Sequence, residues 1–160
     1  MNNNKIKTYL SLLEDSLTKK NWILDQILNL TQEQEQLIKK EDMDGDKFDK
    51  TIEEKEPLIN KVVDLNNGFE KIYDRIKEEL ISNKDKYYEE IQSLQGLIQE
   101  LTDKGVRLQA LEKKNKINLE AYLRTKRKDI KDFKLSNKTV SNYYKNMANQ
   151  DGSYFFDKKN

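Results

Sequence analysis

The chain has 160 residues, of which 37% are charged, with only 5 Gly and 1 Pro. This length fits a single domain or one domain with a tail, and so few turn-forming residues leave room for only a handful of long elements. The sequence contains no His and no Cys. This excludes thiolate and imidazole metal sites, disulfides, and nucleophilic catalysis by Cys or by a Ser-His-Asp arrangement.

Charge is unevenly distributed along the chain. Residues 1–102 carry 15 basic and 22 acidic side chains, a net charge of −7, whereas residues 103–138 carry 12 basic and 5 acidic ones, a net charge of +7. Such asymmetry can mark a site for nucleic acid or for an acidic partner. Antiparallel helices that complement one another's charge explain it equally well.

The first segment has a helical pattern of apolar residues. Spacings of three and four place seven of them on one face: Ile6, Leu10, Leu13, Leu17, Leu24, Ile27 and Ile38. Lys20, Thr31 and Gln34 occupy the remaining positions of the same series. The pattern predicts a helix over about 6–40, and the turn-forming run at 41–46 predicts its end.

The second segment repeats this spacing from Phe48 to Leu80 and predicts a helix over about 47–82. Pro57 interrupts it. Proline lacks the amide proton and crowds the carbonyl four residues earlier, so we expect a kink or a new start near Glu56, at a cost of about 3 kcal/mol if the helix is continuous. Because the apolar series resumes in phase on both sides, the sequence favours one bent helix.

The third segment predicts a helix over about 85–133. Its apolar series includes Tyr87, Ile91, Leu94, Ile98, Leu101, Leu108 and Leu111, and it resumes at Leu119, Tyr122 and Leu123. Gly105 removes a side chain from the seam, and Asn115 and Lys116 leave its middle poorly apolar. We therefore expect the helix to bend or fray at this point.

Three long helices with short connections predict an all-α fold, an elongated up-down-up antiparallel bundle with coiled-coil-like packing. We assign this domain to residues 1–135 and an aromatic-containing C-terminal tail to residues 136–160. The N-terminus has no apolar signal core, and no apolar run reaches the 18 or so residues of a membrane span. The sequence therefore predicts a soluble cytoplasmic protein without membrane insertion.

The acidic clusters do not suggest a metal site or catalysis. In the run 41–46, a calcium loop would need a Glu six positions after Gly45, and that position is Thr51. A solvated turn between helices is the better interpretation. The adjacent pair Glu89 and Glu90 would point in different directions from a helix, which does not suit acid-base chemistry. We expect no enzyme activity, no metal and no cofactor.

The basic stretch over 113–134 is a weak candidate for nucleic-acid binding. Its aromatic residues, Tyr122 and Phe133, are too few for a base-stacking platform, and acidic residues interrupt it. A solvated helix face or a contact with an acidic partner is favoured, and the sequence predicts no nucleic-acid partner.

A three-helix layer can leave apolar surface for a partner helix, which would need anchors at i, i+3 or i+4, and i+7. We place this groove on the third helix and the tail, with candidate client-binding residues Ile98, Leu111, Leu119, Tyr122 and Leu123. Each is also a plausible core residue. The tail aromatics Tyr154, Phe155 and Phe156 either contact a partner or fold back over the end of the bundle. A coiled-coil scaffold or adaptor that self-associates remains the alternative function.

Several features together resemble the FlgN-type flagellar secretion chaperones, with FliT-type chaperones as the nearest alternative. The second helix opens with Glu53-Glu54-Lys55-Glu56-Pro57-Leu58-Ile59 between two other long helices. In the tail, Tyr143-Tyr144 precede Gly152 and the closing Phe156-Asp157-Lys158-Lys159. The resemblance covers nearly the whole chain.

The resemblance implies a non-enzymatic cytoplasmic chaperone of flagellar type III protein export. Such a chaperone binds the C-terminal helical segments of the hook-filament junction proteins FlgK and FlgL, prevents their premature polymerisation and delivers them to the export gate. In this family, a tyrosine shortly before a Gly near the C-terminus is associated with docking on the export-gate protein FlhA. By position, Tyr143 or Tyr144 would match it.

Overall fold

A computed structural model describes residues 2–126 of the protein. In this range the chain forms three long helices and no strand: α1 (Asn3–Ile38), α2 (Gly45–Ser82) and α3 (Tyr88–Lys126). The predicted all-α bundle of three helices is confirmed. The extension of the third helix to residue 133 and the tail at 136–160 lie outside the described residues, so the division into domain and tail stays a prediction.

Helix α1 lies at the centre of the arrangement and packs against both α2 and α3, whose backbones scarcely approach each other. Its contacts with α2 run in opposite chain order. Arg75 donates to the Tyr9 hydroxyl at 3.5 Å, and Gln34 Nε2 donates to Thr51 Oγ1 at 3.0 Å. Helices α1 and α2 are therefore antiparallel.

Contacts between α1 and α3 run in the same chain order. The Lys104 ammonium lies 2.8 Å from the Asp25 carboxylate. Ten residues later on both helices, the Lys114 ammonium lies 2.9 Å from the Glu35 carboxylate. The two helices are therefore parallel, as an up-down-up bundle requires. These ion pairs join lysines of the basic stretch at 103–138 to acidic side chains of α1.

Side-chain caps begin α1 and α2. Asn2 Oδ1 accepts a hydrogen bond from the Lys5 amide at 2.9 Å, and Asp44 Oδ1 accepts one from the Lys47 amide at 3.1 Å. Each satisfies an amide that has no partner within the helix. The acidic run 41–46 thus forms the turn into α2. Residues 2–126 contain no group of acidic side chains that could hold a metal ion.

Two features expected to disturb the helices do not break them. Helix α2 continues through Pro57, where both the proline and Glu53, whose carbonyl loses its helical donor, are exposed to solvent. Water can therefore satisfy that carbonyl. Helix α3 continues through Asn115, so the predicted fraying there is wrong, whereas a bend stays a prediction. Asn115 is buried, and its amide donates to the Thr31 carbonyl at 2.9 Å.

The apolar core forms two separate clusters. The larger one lies toward the α2–α3 turn and contains Ile6, Leu10, Leu13, Leu17, Ile23, Leu24, Ile27, Ile59, Val62, Phe69, Ile76, Leu80, Tyr87, Leu94, Leu101 and Leu108. The smaller one lies toward the α1–α2 turn and contains Leu37, Ile38, Met43, Phe48, Ile52, Leu119 and Leu123. Each helix contributes to both clusters, which explains why all three extend the full length of the bundle.

A buried polar layer separates the two clusters. It consists of two residues from each helix: Thr31, Gln34, Thr51, Lys55, Glu112 and Asn115. The fully buried Lys55 ammonium donates to Gln34 Oε1 at 3.0 Å and forms an ion pair with the Glu112 carboxylate. The same Glu112 oxygen also accepts a hydrogen bond from Thr31 Oγ1 at 3.2 Å, so the pair ties α2 to α3 and α3 to α1.

Removing one member of the ion pair should destabilise the bundle. Lys55→Met should lower the free energy of unfolding by about 3–5 kcal/mol, because methionine, unlike a neutral lysine amine, donates no hydrogen bond to Gln34 or to the buried Glu112 carboxylate. The double variant Lys55→Met/Glu112→Leu should recover most of this loss, since it removes both charges. Urea denaturation followed by circular dichroism measures both variants. Equal losses in the single and double variants would contradict the prediction.

The same pair should make stability depend on pH. Burial lowers the pKa of Lys55 from its ordinary value of 10.5, against the opposing attraction of Glu112. The unfolded chain then binds more protons between the lowered value and 10.5, so the free energy of unfolding should rise with pH through that interval. Measured by urea denaturation from about pH 8 to about pH 10, the wild type should gain stability relative to Lys55→Met/Glu112→Leu. A flat or falling difference would refute this.

Candidate binding groove

Beside the turn that connects them, α2 and α3 line an open groove of about 660 Å³. The last turns of α2 form one wall and the first turns of α3 form the other. The lining residues are Phe69, Tyr73, Leu80, Ile81, Lys84, Tyr88, Ile91, Gln92, Leu94, Gln95, Ile98 and Gln99. We call this feature the α2–α3 groove.

The floor of the α2–α3 groove belongs to the larger core cluster. Phe69, Leu80 and Leu94 are buried and line the groove from below. Phe69 stacks on Tyr73 one turn later, with ring centroids 6.3 Å apart and an interplanar angle of 10°. Such stacking favours this orientation of the two rings. The floor is therefore an apolar surface that belongs to the core.

The turn between α2 and α3 directs apolar side chains outward. Tyr87 is buried, and its hydroxyl donates to Asn3 Oδ1 at 3.2 Å, so the next residue, Tyr88, must face away from α1. Leu80 is also buried, and the next residue, Ile81, points outward. The side chains of Tyr88 and Ile81 are 60% and 61% exposed. Together with the floor they form a continuous apolar surface open to solvent, which in proteins usually marks an interaction site.

The groove is chemically suited to binding, because apolar side chains and glutamine amides form nearly all of its surface. Lys84 is the one charged residue among its lining side chains, and the polar rim consists of Gln92, Gln95 and Gln99. This contrasts with a chain in which 37% of residues are charged. Apolar surface can bind an apolar partner by burial from water, without a reactive group.

The structure separates the five predicted client-binding residues. Ile98 lies in the α2–α3 groove, and Leu111 is half-buried further along α3. Leu119 and Leu123 are buried in the smaller core cluster, where the half-buried Tyr122 accepts a hydrogen bond from the Met43 amide at 3.0 Å. In this fold Leu119 and Leu123 pack inside the bundle, so their predicted role as anchors would require it to open.

A comparison with protein families matches residues 9–151 to the family described as FlgN protein. The chain belongs to the FlgN family. This confirms the resemblance read from the sequence, and a three-helix bundle suits a flagellar chaperone of this family. Neither the search of curated proteins nor that of solved structures finds a match.

FlgN-family chaperones in general bind flagellar export substrates, so an uncovered apolar groove is the feature to expect in this member. None of the helices in residues 2–126 combines the length and apolar character needed to cross a membrane. The predicted docking residues Tyr143 and Tyr144 and the tail residues Tyr154, Phe155 and Phe156 lie outside the described residues. Their roles stay predictions.

Sequence reasoning missed most of the groove in this FlgN-family chain, although a signal was available. Ile81 follows Leu80, and Tyr88 follows Tyr87. Consecutive positions on a helix face different directions, so when one member of such a pair is buried the other points away from it. These two pairs flank the same turn, which places their outward members beside each other.

A second, smaller groove of about 430 Å³ lies near the opposite end of the molecule. It is lined by Ile38, Lys39, Glu41, Asn118, Ala121, Tyr122, Thr125 and Lys126. Three of these are charged, and Tyr122 is held by the turn that follows α1. The smaller groove therefore lacks the continuous apolar surface of the α2–α3 groove.

The two exposed wall residues should be unimportant for stability. Ile81→Gln and Tyr88→Gln should each change the free energy of unfolding by no more than about 0.5 kcal/mol, because their side chains already lie in water. Leu94→Ala, on the buried floor, should cost about 2–5 kcal/mol. Urea denaturation measures all three. A loss at position 81 or 88 as large as that of Leu94→Ala would show that these side chains pack inside the bundle.

Proposed function

We propose that this protein is a flagellar export chaperone whose clients are the hook-filament junction proteins FlgK and FlgL. It binds their C-terminal helical segments in the cytoplasm, prevents premature polymerisation and delivers them to the export gate. Membership of the FlgN family supports the general role in flagellar export. The observation that carries the client-binding role is the open apolar surface of the α2–α3 groove.

The groove suits a helix as its occupant. It is bounded by two antiparallel helices, which leave an elongated trough between them, and an amphipathic helix can lay its apolar face in such a trough. Ile81 and Tyr88 stand at its turn end, and Ile98 lies three turns further along α3. Their spacing fits anchors that recur once per turn of a client helix.

Binding in the groove would also account for protection against polymerisation. An amphipathic segment loses its hydrophobic driving force for self-assembly while its apolar face is covered. No covalent step is needed, and the complex can dissociate when the client is handed on. The chaperone function therefore needs a surface and no catalytic group.

Delivery to the export gate would use another part of the chain. The described part of α3 ends at Lys126, about 40 Å from Gln99 at 1.5 Å per residue. Residues 127–160, which follow Lys126 in the sequence, include Tyr143 and Tyr144, the candidates for docking on FlhA. We propose that Tyr154, Phe155 and Phe156 supply a further partner contact.

Substitutions in the groove should weaken client binding without unfolding the protein. For the double variant Ile81→Gln/Tyr88→Gln, we expect the affinity for a peptide of the FlgK C-terminal helical segment to fall by about tenfold or more, because two apolar contacts are lost. The matched control is Val106→Gln/Ile117→Gln, which changes two exposed apolar residues of α3 outside the groove. Isothermal titration calorimetry measures both.

Two results would overturn the proposal: unchanged affinity in the groove variant, or an equal loss in the control. Light scattering of the full chain tests the alternative, a self-associating scaffold. Reversible dimerisation that Ile81→Gln/Tyr88→Gln abolishes, together with no binding of the FlgK segment, would favour that alternative.

A further inference from the structure

We infer that the α2–α3 groove selects a helix whose apolar stripe is flanked by uncharged polar side chains, and that the C-terminal end of this helix lies beside Lys84. This inference rests on the proposed client-binding function and adds the chemistry and direction of the partner. It follows from the rim of the groove, from the contrast with the other face of α3, and from the position of the groove's single charge.

The rim of the groove on α3 is built from amides. Gln92, Gln95 and Gln99 follow at intervals of three and four and therefore lie along one edge of the helix. Gln99 donates to Asp103 at 3.1 Å, whereas Gln92 and Gln95 form no side-chain hydrogen bond with any residue among 2–126. Each free amide offers two donors and an acceptor to a partner.

The other edge of α3 is different. Where α3 packs against α1, charged side chains of α3 flank the contact: Lys104 lies 2.8 Å from Asp25 and also donates to the Asn21 amide, and Lys114 lies 2.9 Å from Glu35. On α3, charged side chains therefore flank the contact with α1, and amides flank the open groove. A partner complementary to the open edge would carry amides or hydroxyls beside its apolar stripe.

A charged flank on the partner would be penalised. A carboxylate or ammonium brought to the rim would lose part of its hydration, and beyond Lys84 no lining residue could pair with it. Glutamine, asparagine, serine and threonine would exchange hydrogen bonds with the rim amides instead. The rim therefore discriminates between amphipathic helices that share the same apolar stripe.

The groove also limits the length of its occupant. From Tyr88 to Gln99 the wall of α3 spans about 17 Å at 1.5 Å per residue. This length matches about three turns of helix, or roughly twelve residues, with an apolar anchor on each turn. A single side chain or a small loop would leave much of the 660 Å³ unfilled.

Lys84 supplies the direction. It lies in the turn between α2 and α3, at one end of the groove, and it forms no ion pair with any other residue in the described part of the chain. The C-terminal end of a helix carries partial negative charge, and a terminal carboxylate adds a full one. The favoured orientation places this end at Lys84, so the partner runs parallel to α2 and antiparallel to α3.

The first experiment compares two designed helical peptides of roughly fourteen residues with identical apolar stripes. One carries Gln at all flanking positions, and the other carries alternating Glu and Lys, which have similar helix propensity. Calorimetry with the full chain should show the Gln-flanked peptide binding about tenfold or more tightly. The affinity of its C-terminally amidated form, which lacks the charge that faces Lys84, should change less than about threefold between about 50 mM and about 500 mM NaCl. Equal or tighter binding of the charged peptide would overturn the inference.

The second experiment tests direction. Amidation of the C-terminal carboxylate of the Gln-flanked peptide should weaken binding severalfold in the wild type and should have no effect in Lys84→Gln. Lys61→Gln, an exposed lysine of α2 outside the groove, is the matched control and should behave like the wild type. Amidation that changes nothing in the wild type, or that acts equally in Lys84→Gln, would refute the orientation.

The inference and the proposed function fail in different ways. If the FlgK segment binds in the groove but the charged peptide is preferred, the inference fails and the proposed function stands. If Ile81→Gln/Tyr88→Gln leaves binding of the FlgK segment unchanged, the proposed function fails, and the inference that rests on it fails with it.

Discussion

One helix, α1, provides the packing surface for both of the others, and this constraint determines the shape of the molecule. Because α1 buries its stripe between α2 and α3, those two helices meet each other only weakly. Near Lys55 a buried ion pair with Glu112 connects them, but toward Ile81 and Tyr88 nothing within residues 2–126 covers the gap. The open groove is thus a direct consequence of a three-helix layer built around a shared centre.

The buried polar layer explains how the helices find one register. A purely apolar seam of heptad type can slip by a turn at little cost, whereas a lysine that must meet a glutamine and a carboxylate cannot. Lys55 has these partners only when α2 is aligned with Gln34 of α1 and Glu112 of α3. The layer therefore fixes the height at which α2 and α3 end, and with it the position of the groove.

The spacing of apolar residues predicted the fold well, because in a long helix the positions that recur every three or four residues face the same side and are buried together. All ten positions of the series in α1 are buried, including the three polar ones, Lys20, Thr31 and Gln34. On α3 the buried positions include Gly105 and Asn115 in the same way. Hydrophobicity alone suggested a frayed helix near Asn115, and this was wrong because its partner, the Thr31 carbonyl, lies on another helix. Partners of that kind cannot be read from the sequence.

The candidate site was harder to predict for a related reason. The apolar series of a helix shows which of its residues face inward. Whether another helix then covers them depends on how the helices pack, which the series does not show. Leu119 and Leu123 satisfy the same pattern as Ile98, yet they are buried in the smaller cluster while Ile98 lies in the groove. Ile81 and Tyr88, which flank the turn, are not members of the apolar series, so the spacing pattern does not mark them as candidates.

The anchoring of Tyr87 has a consequence for how tightly the groove could hold a partner. Its ring is buried and its hydroxyl is bound to the first turn of α1, which holds the adjacent backbone, including that of Tyr88, in place before any ligand arrives. A surface prepared in this way loses little freedom on association. Most of the entropic cost would then come from the incoming peptide, so among clients with the same flanking side chains the more helical one would bind more tightly.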